Sequence, residues 1–411
     1  MLKSHPQDFV RTWIEIDRRS LFFNLRKFQK FAGKALVMAV VKSNAYGHGL
    51  ALIAKCLTTK DKRMWLGVDS VTEALRLRRE GISNPILVLG YTLPMRLAEA
   101  AKNNIAVTAS HFEALANLAR AKKRPQLHIK IDTSMHRQGF QEDDLPRLIR
   151  ELRKEHLMPE GVYSHLASAE NRQFSNKQII AFTRVVETLR SAGITPKFTH
   201  IAATGGIIKY RLPFTNPIRT SASHLANGSI TSQLAISNLT ADGNWQRSNG
   251  VNIARLGLGL YGYLPDQRKG IVRPVLTWKT IVGEVKRVNK GEHIGYDTTE
   301  RLKRDSTIAV LPIGYWHGFD RGLSSIGEVL IHGKRCRVLG RVSMDMIVVD
   351  ITDISRKLKI KNEKVKIGDE VVLIGRQGRE FIGADEMAKK IGTISYEVLT
   401  RINPLIFRTV I

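Results

Sequence analysis

The stretch "ALVMAVVKSNAYGHG", Ala35 to Gly49, places Lys42 directly after an apolar run and surrounds it with small residues, a tyrosine and glycines. A lysine at a strand end is ordinarily a solvated surface charge. One kept in such compact surroundings can instead form a Schiff base with an aldehyde inside a pocket. Other apolar runs also end on residues that bind or move charge: Lys130 in "LHIKID", Arg137 in "DTSMHRQG", His165 in "GVYSH", Thr204 after "FTHIAA" and Arg255 in "IARLGLGL". Cations dominate this set. No carboxylate pair and no His–carboxylate spacing suited to a metal stands out, so no metal is expected. Cations converging on one cavity suit an anionic ligand. The turns "TGG" and "RLGLG" can offer backbone N–H groups to a phosphate. Read together, they point to a phosphorylated aldehyde cofactor held on Lys42.

The elements that must carry these residues are legible in the pattern. From about Lys34 to Tyr263 short apolar runs alternate with helical periodicity: "ALVMAVV", "MWLGV", "ILVLG", "IAVTA", "LHIKID", "GVYSH", "FTHIAA" and "IARLGLGL". Near-continuous apolarity marks strands buried on both faces. Between them lie "SVTEALRLRREG", "SHFEALANLARAKK" and "FSNKQIIAFTRVVETLRSAG". The last two begin near serines that can cap, and the third ends at Gly193 as a C-cap. Eight strands alternating with helices predict a (β/α)8 TIM barrel, whose chemistry sits at the C-terminal strand ends. After about Leu264 helical periodicity gives way to short strands and Gly-rich turns, predicting a mostly-β domain. The domains are read as 9–264 and 265–411, with an insertion at about 207–250 rich in Ser, Asn and Thr.

Composition sets the remaining bounds. The chain has 411 residues, 43% of them hydrophobic, which is enough for two globular domains. No stretch is long and apolar enough for a membrane span, and "MLKSHPQDFVRTW" lacks a signal-peptide core, so a cytoplasmic protein is expected. Cys56 and Cys336 have no metal-ligand or CxxC spacing and read as thiols. The net charge of +28 raises nucleic-acid binding, but the basic residues are spread along the whole chain without aromatic interleaving. A general basic bias is the favoured reading, with anions drawn into clefts.

"VVKSNAYGHG" resembles the pyridoxal-phosphate lysine motif of alanine racemases. The resemblance extends in the family's order through "WIEIDRRSLFFNL", "KIDTSMHRQGF", "RLGLGLYG", "IGYDTTE", "LPIGYWHGFDRGLS", "GRVSMDMIVVD" and "ISYEVLTRINP", covering nearly the whole chain. It implies a pyridoxal 5'-phosphate barrel followed by a β domain, in a head-to-tail homodimer whose sites combine both subunits. It implies an enzyme that interconverts L- and D-alanine and supplies D-alanine for peptidoglycan.

By this resemblance Lys42 carries the cofactor and is one acid–base group; Tyr296, reaching in from the partner, is the other. Tyr46, Tyr396 and the backbone N–H groups of Gly257 and Leu258 contact the phosphate, joined by the Thr204 hydroxyl. "HLANGS" is closer in letters to the family's Asn-Ser pair, but only Thr204 leaves the right room after His165 for one helix and one strand. Arg137 lies near the cofactor's phenolic oxygen and the substrate carboxylate, to which Met344 of the partner offers its N–H. Lys130 matches a lysine that is carbamylated in some members and holds that arginine. His165 bonds to Arg255, which faces the pyridine nitrogen. Departures are "GYWHG" for Tyr-Ala-Asp, Ser343 for a common cysteine, Ala203 for asparagine, and the insertion. The alternatives are a racemase of broader specificity and a barrel-type decarboxylase of basic amino acids, which would place an acidic residue where Arg255 stands.

Overall fold

The computed structural model describes residues 10–59, 61–210, 251–266, 268, 270–357 and 364–411. Most of the expected insertion lies outside the described residues. The chain opens on a short strand, β1 (Thr12–Ile16), and a helix, Arg18–Ala32. Eight parallel strands then close a barrel: β2 (Leu36–Val40), β3 (Trp65–Val68), β4 (Ile86–Val88), β5 (Ile105–Ala109), β6 (Leu127–Lys130), β7 (Gly161–Tyr163), β8 (Phe198–His200) and β9 (Val251–Leu256). They are the eight runs named above. Each run is apolar because side chains on both faces are buried, inward in the barrel and outward against helices. Met38, Trp65, Leu87, Ala106, Phe198 and Ile253 form one apolar layer, each side chain beyond alanine contributing roughly 1.5–3 kcal/mol of burial. Lys130, Tyr163 and His200 are register partners across β6, β7 and β8 and form a second, polar level near the strand ends.

The helix starts correct the serine reading. The caps are His111, whose ring accepts from the Ala114 N–H, and Asn171, whose carbonyl accepts from the Phe174 N–H. Ser175 lies one turn inside its helix and donates to the Ser168 carbonyl. The residue at the true helix entry, not the serine read from the sequence, accepts the free N–H of the first turn. At the other end of that helix the cap is Ala192, not Gly193 as expected; Gly193 follows it at φ +79°, the left-handed residue just past the cap.

The later strands build a ten-stranded sheet. They are β10 (Leu276–Ile281), β11 (Glu284–Val288), β14 (Ser306–Leu311), β15 (Glu328–Ile331), β16 (Lys334–Leu339), β17 (Ile347–Asp350), β18 (Glu370–Gln377), β19 (Glu380–Ile382) and β20 (Phe407–Val410), completed by β1. A separate pair, β12 (His293–Ile294) with β13 (Glu300–Arg301), frames a tight turn. β1 lies between β10, antiparallel, and β20, parallel. The described residues accordingly divide into two compact units, one within Met1–Asn24, Val41–Cys56 and Leu258–Ile411, the other within Leu25–Val40 and Leu57–Gly257. Alternating apolar runs did not disclose that the N-terminal strand and the segment after β2 pack with the C-terminal residues. No helix among the described residues is long and apolar enough to cross a membrane.

Candidate active site

In the barrel unit the centre is Arg255, on β9 and 4% exposed. Its Nη2 donates to the carbonyls of Ser164 (2.6 Å) and Ile201 (2.9 Å) and lies 3.2 Å from His165 Nδ1. Its Nη1 is 3.4 Å from His200 Nδ1. A guanidinium only donates, so both ring nitrogens must accept. His200 then carries its proton on Nε2, which faces His128 Nδ1 at 3.1 Å. His128 in turn carries its proton on Nε2, 4.0 Å from a Glu160 carboxylate oxygen. One arginine thus fixes the tautomers of three histidines. Burial holds His128 neutral, with its pKa lowered to about 3. His200 is pushed well down by burial and by the adjacent Arg255. Among the described residues no carboxylate pairs with Arg255. Burial lowers its pKa to about 10, which still leaves it charged at neutral pH.

Tyr163 organises the cations around it. Its ring stacks on His200 at 4.5 Å and 3°, with Lys130 Nζ 4.5 Å and the Arg255 guanidinium carbon 5.1 Å from its centre. Its hydroxyl donates to Thr108, whose own proton goes to the Val88 carbonyl at 2.7 Å. Lys130 is held well below the ordinary lysine value, first by burial and then by Arg255 and Arg137. Arg137 is exposed, on a loop fixed by three backbone N–H bonds to Asp132. Thr204 is buried at the start of the helix Thr204–Tyr210. Gly161 is glycine because a Cβ there would overlap the His128 imidazole.

In the other unit Lys42 opens a turn of rare geometry. Ser43, Asn44, Ala45 and Tyr46 all have φ between 52° and 55°. This left-handed run costs about 1–2 kcal/mol per residue. Several hydrogen bonds hold it: Ala45 N–H to Val41 O (2.8 Å), His48 N–H to Ala45 O (3.0 Å), Gly49 N–H to Asn44 O (2.9 Å) and Leu50 N–H to Asn44 Oδ1 (2.9 Å). Gly47 follows at φ +84°, where a Cβ would overlap the Leu399 carbonyl. Leu399 belongs to the helix Ser395–Thr400, which also carries Tyr396. The close approach sets the Tyr46 ring 5.9 Å from Tyr396 and 5.0 Å from Tyr261. Burial raises the pKa of both Tyr46 and Tyr396, so both phenols stay protonated donors. Gly257 ends the barrel unit and Leu258 opens the short helical turn Leu258–Tyr261.

Two predicted residues lie at the surface of the single chain: Tyr296 is 67% exposed and Met344 53%. Tyr315 and Trp316 donate their N–H groups to the Ser343 and Met344 carbonyls, 3.0 Å each. Within "GYWHG", His317 Nδ1 accepts the Gly314 N–H at 3.1 Å. Burial lowers the His317 pKa and favours the neutral ring that this bond needs.

Sequence reasoning missed His128, His200, Tyr163, His48 and Arg408. His128 and Tyr163 had a signal, since Lys130 and His165 stand two positions on and i and i+2 share a strand face; His200, between Phe198 and Ala202, lacked it. Arg408 is brought to Gly47 across 361 residues and had none.

The alanine racemase N-terminal domain model matches residues 16–220 and the C-terminal domain model matches 275–410. The alanine racemase of Carboxydothermus hydrogenoformans is 35% identical over 95% of this chain and 97% of its own length; that of Methanococcus maripaludis is 33% identical over 97% of each. Among solved structures, the Bacillus anthracis alanine racemase with bound L-Ala-P has a TM-score of 0.80 at 31% identity, covering 98% of this chain and 95% of that one. The Bartonella henselae alanine racemase with covalently bound pyridoxal phosphate has a TM-score of 0.77 at 25% identity, covering 98% and 100%. Two domain models in sequence and relatives matched from end to end agree with the barrel and sheet described above: the chain belongs to the alanine racemase family.

Proposed function

We propose that this protein interconverts L- and D-alanine with pyridoxal 5'-phosphate, supplies D-alanine for peptidoglycan, and works in the cytoplasm as a homodimer with shared sites. The donor set fits that cofactor. A lysine amine, two protonated phenols, a buried threonine hydroxyl and a buried guanidinium match an aldehyde, a phosphate and a pyridine nitrogen respectively. Lys42 would hold the aldehyde end. Tyr46, Tyr396, Thr204 and the N–H groups of Gly257 and Leu258 would hold the phosphate. Arg255, backed by His165, would face the ring nitrogen. When bound, the cofactor supplies a conjugated sink for the electron pair left at Cα.

The protein's part is to move one proton. Lys42 takes or returns it on one face of the substrate, and Tyr296 of the partner subunit serves the other face, so the substrate need not turn over. Arg137 and the Met344 backbone N–H of the partner subunit bind the carboxylate. Burial, Arg255 and Arg137 favour the uncharged amine of Lys130, the form that adds CO2: its nitrogen would bond the carbon and lose a proton, giving a carbamate that would pair with Arg137. The pocket takes small side chains, alanine first and serine next.

Arg255 carries this reading against a decarboxylase. It is charged, buried and surrounded by carbonyls and imidazoles, with no carboxylate partner among the described residues. A cation beside the ring nitrogen disfavours its protonation, limits electron withdrawal and favours prompt return of the proton to Cα. Incubation with L-alanine and pyridoxal phosphate should yield D-alanine by chiral chromatography, and Lys42→Ala should abolish it. Release of CO2 from basic amino acids with no D-alanine would overturn the proposal.

A further inference from the structure

Arg408, on β20, is a half-buried arginine with an unusual set of partners. Nε donates to the Gly47 carbonyl at 2.8 Å, Nη1 to Pro404 O (3.0 Å) and Ile406 O (2.6 Å), and Nη2 to Asn403 O (3.2 Å). No carboxylate pairs with it among the described residues. Burial lowers its pKa to about 10, so it keeps its charge. Its stem fills the space beside Gly49, where a Cβ would stand 3.0 Å from Arg408 Cδ. Next to it, His48 is fully buried and within 2.9 Å of the Tyr46 carbonyl through Nδ1, while its Nε2 has no hydrogen-bond partner. The carbonyls of Tyr46 and Gly47, where the left-handed run ends, are therefore gripped by two side chains.

Left-handed backbone persists only where its surroundings over-determine it. The hydrogen bonds described above tie this run to its neighbours in sequence, Val41, His48, Gly49 and Leu50. The Arg408 bond comes from a distant strand and is charge-assisted, about twice as strong as a neutral one. The guanidinium fork is rigid and spreads its donors over four carbonyls, whereas a lysine ammonium is a single compact point with three N–H donors. We propose that Arg408 is a positioning residue that, with His48, locks the turn from Lys42 to Tyr46 and so aims the Tyr46 hydroxyl at the phosphate end of the cofactor site. The last clause rests on the reading of Tyr46 as a phosphate contact.

The test uses full-length wild type, Arg408→Met, Arg408→Lys and Tyr46→Phe. Hydrogen exchange of the cofactor-free protein should show residues 43–50 of Arg408→Met exchanging at least about tenfold faster, with the amides of β6 unchanged. Pyridoxal phosphate affinity of that variant should fall about tenfold or more, and its visible circular dichroism when loaded should change. Arg408→Lys should lie between wild type and Met in both readouts, and it also serves if the Met variant folds poorly. Unchanged exchange at 43–50 in both variants overturns the clamp. Exchange that rises evenly through the chain, with affinity unchanged, also overturns it. If Tyr46→Phe binds pyridoxal phosphate as wild type does, the phosphate reading fails, while locally faster exchange in Arg408→Met still establishes the clamp.

Discussion

On the proposed reading, reaction choice turns on the Arg255 guanidinium. Arg255→Glu replaces an obligate donor with an acceptor beside the ring nitrogen. We expect transamination products per racemisation event to rise at least about tenfold, read as pyruvate formed against D-alanine formed. Unchanged partitioning would refute that role. The buried imidazoles make a second prediction. His48 and His128 have pKa values lowered by burial to about 4 and about 3, against an ordinary 6.5. Below 6.5 the unfolded chain binds protons that the folded rings refuse, so the contribution of these two rings is constant above that pH and falls as pH drops towards 4. His48 alone accounts for about 3 kcal/mol at most. Thermal melting between pH 7 and pH 4 should show the loss, and His48→Gln should flatten part of it. At this scale the sequence made legible that Lys42 and Thr204 follow apolar runs, and in the structure each opens the helical segment after a barrel strand. It was silent on Arg408, one more cation in a basic chain whose bond to Gly47 spans 361 residues.

At the scale of elements, the turn after β2 shows what one hydrogen atom permits. Gly47 combines a positive φ with contact on the Leu399 carbonyl, so Gly47→Ala must open the turn away from the helix Ser395–Thr400. We expect a loss of about 2–4 kcal/mol in stability and weaker pyridoxal phosphate binding, because Tyr46 and Tyr396 move apart. Denaturant unfolding and fluorescence titration check both. Gly161→Ala drives a methyl into the His128 ring, and should disturb the histidine chain while leaving the Lys42 turn intact. All eight barrel strands were legible because burial on both faces writes apolarity into most of their positions. The left-handed run was not, since Ser, Asn, Ala and Tyr carry no local preference that demands it; only "YGHG" hinted at a special backbone.

At the scale of the whole molecule, a head-to-tail pair with shared sites makes a quantitative claim. Lys42→Ala and Tyr296→Phe homodimers should each be nearly inactive. Dissociated, mixed and allowed to reassort, they should recover about a quarter of wild-type activity, since half the pairs are mixed and each has one intact site. No recovery would place Tyr296 outside the partner's site. β1 was the element least legible in sequence, because five residues of half-buried strand resemble any edge. The partition of the chain has a further consequence. The backbone passes between the two compact units at residues 24–25, 40–41, 56–57 and 257–258. Neither unit is a cassette that a gene could lend or borrow with one cut. A fragment holding every barrel strand would still contain Lys42, but stripped of Leu399, Tyr261 and Arg408 it would carry an ordinary amine on an unshaped loop.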